Sequence, residues 1–401
     1  MTAHAAGFAG RLREFSFNGA PTEEFEQAGL RYFINEFWTS GQRQAHSIHE
    51  ISYRACFKPQ LPEFFISRLT GAGDTVYDPF SGRGTTAVQA ALMGRRPVAN
   101  DVNPLSEILV RPRLAPPALD AIRARLAALD LSRAIPTNEH GHLLAFYHPD
   151  TLRQICLLRD YLSERQAGQR IDAVDEWIRM VAINRLTGHS PGFFSVYTMP
   201  PNQAVSVGSQ LKINAARQQA PPPRDVAAII LKKTRTLLAD GQPPSHPPAM
   251  LMTGPAHSTL RLRDAEVDLI VTSPPFLDVV DYEGDNWLRC WFADINVQSV
   301  QIDRHCDIVT WQAFVRRSFE EFARVVRPGG IVAFEVGEVR GGKILLERHA
   351  AEAIRPLPFD LIGVMVNQQA FTKTANCWGV NNNSRGTNSN RIVLARRKHC
   401  G

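Results

Sequence analysis

Asp78-Pro-Phe-Ser-Gly-Arg-Gly-Thr-Thr86, reading DPFSGRGTT, is the stretch that decides how this chain folds. Before it, Thr75-Val-Tyr-Asp78 is a short apolar run opened by the turn Gly71-Ala-Gly73-Asp74, and it reads as a strand. After it, Thr85 to Met93 has helical spacing and Gly94 ends the helix. Arg96 to Asn100 is a second strand, closing on Asp101. Strand, loop, helix and strand within about 30 residues form a βαβ unit, which implies a parallel sheet and an α/β fold.

The loop has its own chemistry. Gly82 and Gly84 remove side chains where a ligand must approach the backbone. Thr85 and Thr86 open a helix whose free amides and dipole favour an anionic group. Asp101 follows the glycines by about 20 residues, the spacing at which an acid binds ribose hydroxyls. Gly82, Gly84 and Ala87 fit the loose form of the dinucleotide fingerprint, so the glycines alone leave a dinucleotide site open. No GKS or GKT follows, which excludes a P-loop.

A second segment, Thr272-Ser-Pro-Pro-Phe276, ends the apolar run Val267-Asp-Leu-Ile-Val-Thr272. Pro274 and Pro275 have no amide hydrogen and a fixed φ, so Ser273-Pro-Pro275 presents carbonyls without competing proline donors. The exocyclic NH2 of a base is a poor nucleophile because its lone pair is delocalised into the ring. Two carbonyl acceptors can draw its hydrogens out of plane and localise that pair. Phe276 is placed to stack on a base, an interaction worth about 1–3 kcal/mol. The loop follows a strand on the edge where open parallel sheets bind ligands. Either segment alone is also compatible with a plain turn.

Together the two segments resemble the amino-methyltransferases that modify cytosine N4 or adenine N6. DPFSGRGTT matches that family's DPFxGxGTT cofactor motif, and TSPPF its [DNS]-P-P-[YFW] motif. Phe57-Lys-Pro resembles a further cofactor-side motif. The resemblance covers about half of the chain. It implies S-adenosylmethionine as cofactor, held by Phe57, Asp78, Pro79, Phe80, Gly82, Gly84, Thr85, Thr86 and Asp101. It places Ser273, Pro274, Pro275 and Phe276 at the target amine and calls for no metal. It also implies a Rossmann-like, mostly parallel seven-stranded sheet with helices on both faces. Ser as the first motif residue leans toward cytosine N4. Adenine N6, an RNA base methyltransferase, and a non-catalytic DNA-binding protein on this fold are the alternatives. The cytosine-C5 class needs a thiolate in a Pro-Cys context, and no Cys here follows a Pro.

The remaining chain divides around these segments. Residues 1–54 read as an N-terminal arm with helical pieces, and 55–104 with 248–401 as the catalytic domain. Residues 105–247 form a largely helical insertion, with helices at Leu119–Leu129, Thr151–Gln166 and Val174–Leu186. In this family an insertion so placed is the target-recognition region. Arg185, His189 and Tyr197 there suit phosphate contact and stacking. Asp281, Tyr282, Asp285, His257, Ser258 and the Asn381–Asn390 loop with Arg385 are secondary candidates for the base or cofactor.

Forty-five Lys and Arg against 39 Asp and Glu leave a net charge of +6, which fits a polyanionic partner such as DNA. A cognate restriction endonuclease is a partner the resemblance allows, and oligomeric state is not legible. Cys56, Cys156, Cys290, Cys306, Cys377 and Cys400 form no CxxC pair, so neither a zinc ribbon nor a disulfide framework is expected. A cytoplasmic protein is the simple reading. No apolar run reaches about 18 residues, so no membrane span is expected.

Overall fold

The computed structural model describes residues 3–39, 45–54, 56–200, 203–277, 282–300, 305, 307–339, 344–368 and 389–399. Its main sheet is built from β1 Glu23–Gln27, β2 Leu30–Asn35, β3 Thr75–Asp78, β4 Arg96–Asp101, β5 Met250–Thr253, β6 Val267–Thr272, β7 Val326–Val336, β8 Phe359–Gln368 and β9 Ser389–Arg397. They lie in the order β1-β2-β8-β9-β7-β6-β3-β4-β5. The run β7-β6-β3-β4-β5 is parallel throughout. Strand β9 is antiparallel to both β7 and β8, β2 runs parallel to β8, and β1 returns antiparallel to β2.

The sheet is thus the α/β type expected, with nine strands rather than seven. The seven run from β5 to β8. The additional two are a hairpin from the N-terminal residues, which also contribute α1 Ala3–Glu14. β1 escapes sequence reading because it is an exposed edge strand, Glu-Glu-Phe-Glu-Gln, whose acids oppose strand propensity. β2 buries Tyr32 and Phe33, and Tyr32 pairs with Val364 of β8.

Helices cover both faces because side chains alternate along each central strand. Val76, Leu269, Val271 and Ala333 point to a core shared with Phe64 and Phe65 of α2 Gln60–Leu69. Tyr77, Ile270, Val332 and Phe334 point to the opposite core. Between β3 and β4 runs α3 Thr85–Leu92.

The insertion supplies α4 Leu105–Leu114, α5 Leu119–Ala128, α6 Pro149–Ala167, α7 Ala173–Arg185, α8 Val207–Arg217 and α9 Val226–Leu237. Its helical character is as expected. α5, α6 and α7 fall where the apolar period placed them, and α4, α8 and α9 are additional. These helices enclose a core of their own around Phe146, Leu158, Trp177 and Ile230. Leu288 and Phe292 of α10 Tyr282–Ala293, the helix that follows β6 in the chain, complete it. Two further helices, α11 Ile308–Val325 and α12 Leu346–Ile354, pack on the second face.

Arg327-Pro-Gly-Gly330 lies inside β7 as a bulge. Pairing with β6 jumps from Val267–Val326 to Leu269–Ile331, and Gly329 takes φ +81°.

Candidate active site

β3 and β6 are parallel neighbours, so the loops that leave them emerge side by side at one edge of the sheet. Side chains fasten these loops together. The Thr272 hydroxyl donates to Asp78 Oδ1 at 2.6 Å, and the Thr86 hydroxyl donates to the Val271 carbonyl at 3.0 Å. Asp78 also accepts from the Phe80 amide at 3.2 Å. It is 1% exposed, and burial pushes its carboxyl up to about 7 despite these hydrogen bonds.

Asp101 braces the glycine loop from the end of β4. Its carboxylate accepts from the amides of Gly82 at 2.7 Å and Asn103 at 2.9 Å. Burial nonetheless raises its carboxyl above the ordinary value. Gly84 sits at φ +80°, and a Cβ there would lie 2.2 Å from Val110 Cγ2, so only glycine lets α3 start this close to α4. The Arg83 guanidinium holds the loop from outside, donating to the carbonyls of Ile51 at 3.1 Å and Phe57 at 3.2 Å. Arg113, fully buried on α4, donates in turn to the Arg83 carbonyl, and burial pushes its guanidinium down to about 9.

These elements close around one cavity. Its walls include Phe57, Asp78, Pro79, Phe80, Gly82, Thr85 and Asp101 from the cofactor-side candidates, together with Ser273 and Pro275 from the second loop. Four candidates do not line it. Gly84 lies beneath the loop as the N-cap of α3, and Thr86 is turned into β6. Pro274 is buried, and the half-buried Phe276 ring leans on Gly337, where a Cβ would lie 2.8 Å from Phe276 Cε2.

Several residues that sequence reasoning missed complete the site. Tyr53, Cys56, Val102, Asn103 and Ala256 add to the wall. The secondary candidates beside Ala256, His257 and Ser258, are exposed and outside it. Trp311 on α11 donates its indole N–H to the Pro275 carbonyl at 3.0 Å, which uses one lone pair of that carbonyl. Ser273 hydrogen-bonds to the buried Glu335 of β7, and Asn390 donates to Glu335 Oε1 at 2.6 Å. Burial raises the Glu335 carboxyl above its ordinary value, partly offset by these two bonds. A lone acid within the apolar run Ile331–Val336 was the available signal for Glu335. Nothing in the sequence marked Trp311.

Of the other candidates, Asp285 receives Arg54 Nη1 on both carboxylate oxygens at 2.9 Å. Tyr197 lies under the Arg217 guanidinium, 3.9 Å from its ring centroid. Asp281, the Tyr282 side chain and residues 378–388 with Arg385 lie outside the described residues, as do Cys306, Cys377 and Cys400. Burial raises the Cys56 thiol, which opposes a thiolate role at the cavity.

Residues 20–107 match a family model described as DNA methylase. Over 72 residues the chain is 38% identical to the type II methyltransferase M.MjaII of Methanocaldococcus jannaschii, covering 18% of this chain and 13% of that protein. Over 94 residues it is 36% identical to the type II methyltransferase M.BsoBI of Geobacillus stearothermophilus, covering 23% and 17%. The aligned segments therefore span less than a fifth of either relative. Among solved structures, TrmN from Thermus thermophilus aligns with 88% of this chain and 51% of its own, at 12% identity and a TM-score of 0.33. The segment that holds β3, the glycine loop and Asp101 is thus similar to N4/N6 amino-methyltransferases.

Proposed function

We propose that this protein transfers a methyl group from S-adenosylmethionine to an exocyclic amine of DNA, with cytosine N4 as the target. One observation carries the reading: the DPFSG loop and the Ser273–Pro275 loop line the same cavity. The residues suit a nucleoside-bearing cofactor. Phe57, Phe80, Val102 and Ala256 offer apolar walls for a flat ring, and Asp101 offers carboxylate oxygens for hydroxyls.

When bound, S-adenosylmethionine supplies an electrophilic sulfonium methyl. The protein's own residues shape the amine that attacks it. Ser273 and Pro275 line the cavity, and the Pro275 carbonyl, which accepts from Trp311 through one lone pair, keeps the second for an amine hydrogen beside Ser273. A Ser273 hydroxyl that donates to the Glu335 carboxylate keeps its lone pairs for an incoming N–H. Methyl transfer would leave the amine nitrogen cationic, with a proton to lose. The Ser273–Glu335 pair is the acceptor beside it. The base reaches this pocket by leaving the helical stack. Residues 105–247, with a core of their own, serve as the target-recognition region in this reading. Ser273 favours cytosine over adenine.

Methylation of mixed DNA with labelled cofactor, followed by nucleoside mass spectrometry, tests the reading. N4-methylcytosine is the expected product, and N6-methyladenine would replace the target base. Pro274→Ala and Phe276→Ala should each lose turnover while keeping cofactor affinity. Full activity in both would refute the catalytic assignment.

A further inference from the structure

Beside the cofactor cavity lies a second pocket that the proposed chemistry does not use. The two share Tyr53 and Cys56, so they adjoin. Lys58, Arg83, Arg185 and Lys233 wall the second pocket, and Glu50 is the acid among its lining residues. Lys233 Nζ lies 3.6 Å from a Glu50 carboxylate oxygen. Another cation of this wall, Arg54, is already matched by Asp285.

Arg83 and Arg185 are held by neutral groups. Arg83 donates to Thr85 Oγ1 at 3.1 Å and to the carbonyls of Ile51 and Phe57. Arg185 is 9% exposed, donates to the Asn184 carbonyl at 2.8 Å and stacks over Phe193 with its guanidinium carbon 4.0 Å from the ring centroid. Like charges are thus brought together, partly desolvated, in a concave wall. Burial lowers Lys58, Arg185 and Lys233, and neighbouring cations lower each further: Arg83 for Lys58, Arg289 for Arg185, and Arg185 for Lys233. A fold tolerates such crowding where an anion relieves it.

We propose that this pocket receives one backbone phosphate of the DNA strand that carries the target base. The pocket lies next to the cavity where the amine reacts, which is where the backbone of an extruded nucleotide must run. Arg83 gives the arrangement a further consequence. The guanidinium that would meet the phosphate also spans Ile51, Phe57 and the start of α3, so phosphate capture and the shape of the cofactor loop share one side chain. The assignment rests on the DNA reading above.

Equilibrium anisotropy of a fluorescein-labelled mixed-sequence duplex with the full-length protein, at several salt concentrations, provides the test. Lys233→Gln should weaken binding about 5- to 10-fold and lower the slope of log affinity against log salt by about 1, as expected for one lost phosphate contact. Lys233→Arg should restore both. Glu50→Gln, which removes the competing acid, should tighten binding severalfold. Calorimetric affinity for S-adenosylmethionine should be unchanged in all three.

Unchanged duplex affinity and slope in Lys233→Gln would overturn the proposal. So would a loss confined to S-adenosylmethionine, which would assign the pocket to the cofactor carboxylate. An effect on RNA hairpins with none on duplex DNA would overturn the assignment to DNA. Lys233-dependent duplex binding by a wild-type protein that transfers no methyl group would keep the phosphate pocket and defeat the methyl-transfer reading instead.

Discussion

Asp78 concentrates the residue-scale physics of the site. It is buried, accepts from Thr272 and Phe80, and carries a carboxyl raised from 3.8 to about 7. A carboxyl raised on folding binds its proton more tightly in the folded state. It costs nothing below about pH 4, where both states are protonated, and its cost grows as the unfolded chain ionises first. Above about pH 7 the cost levels off, at no more than about 4 kcal/mol for a shift of this size. Asp78→Asn keeps an acceptor for Thr272 but cannot ionise. Its stability relative to wild type should therefore rise between about pH 4 and pH 7, as read by urea unfolding across that range. A difference independent of pH would contradict this account. At this scale the sequence was informative because Asp78, the glycines and Ser273–Phe276 each suit a local backbone demand. Glu335 and Trp311 were not legible as partners, since each meets the loop from a distant segment.

At the scale of elements, the Ser273–Pro275 loop depends on a helix that follows it in the chain. Trp311 is fully buried on α11 and reaches back to the Pro275 carbonyl. Trp311→Phe retains most of the apolar packing and removes the donor. Turnover should fall about 10-fold, because small displacements of reacting groups are costly. Cofactor affinity should remain, since Trp311 does not line the cavity. Steady-state methylation with a parallel calorimetric titration separates the two, and an equal loss in both would show that Trp311 acts through the whole fold. The elements themselves were legible where the apolar period was strong, as in β3, β6, α6 and α7. They were not legible in β1, whose five exposed residues carry three acids.

Across the whole molecule, the N-terminal hairpin closes one edge of the sheet. β2 pairs with β8 through Val364, Met365 and Val366, all buried. Removing residues 1–38 would expose that edge as a row of unpaired amides and carbonyls over an apolar surface. The truncated protein should aggregate at concentrations where the full chain does not, as followed by size-exclusion chromatography with light scattering. A truncated protein that stays soluble and unfolds at the wild-type midpoint would show that the hairpin is dispensable. The hairpin also lies within the segment matched by the DNA methylase family model. Arg54 and Asp285 tie the loop before α2 to α10, whose Leu288 and Phe292 lie in the core of the helical insertion.

The sequence alone determined the βαβ unit, the α/β class, the two chemical loops and the helical character of what separates them. Each is encoded within a few tens of residues, by period or by backbone demand. The tertiary structure decided which of those residues share a cavity, because that follows from strand order. β3 and β6 are neighbours in the sheet though far apart in the chain. It also decided that Asp78 is held by Thr272, that Pro275 is already hydrogen-bonded, and that Arg83, Arg185 and Lys233 face one pocket. Burial and proximity of charge are properties of the packed chain, and the order of residues does not state them.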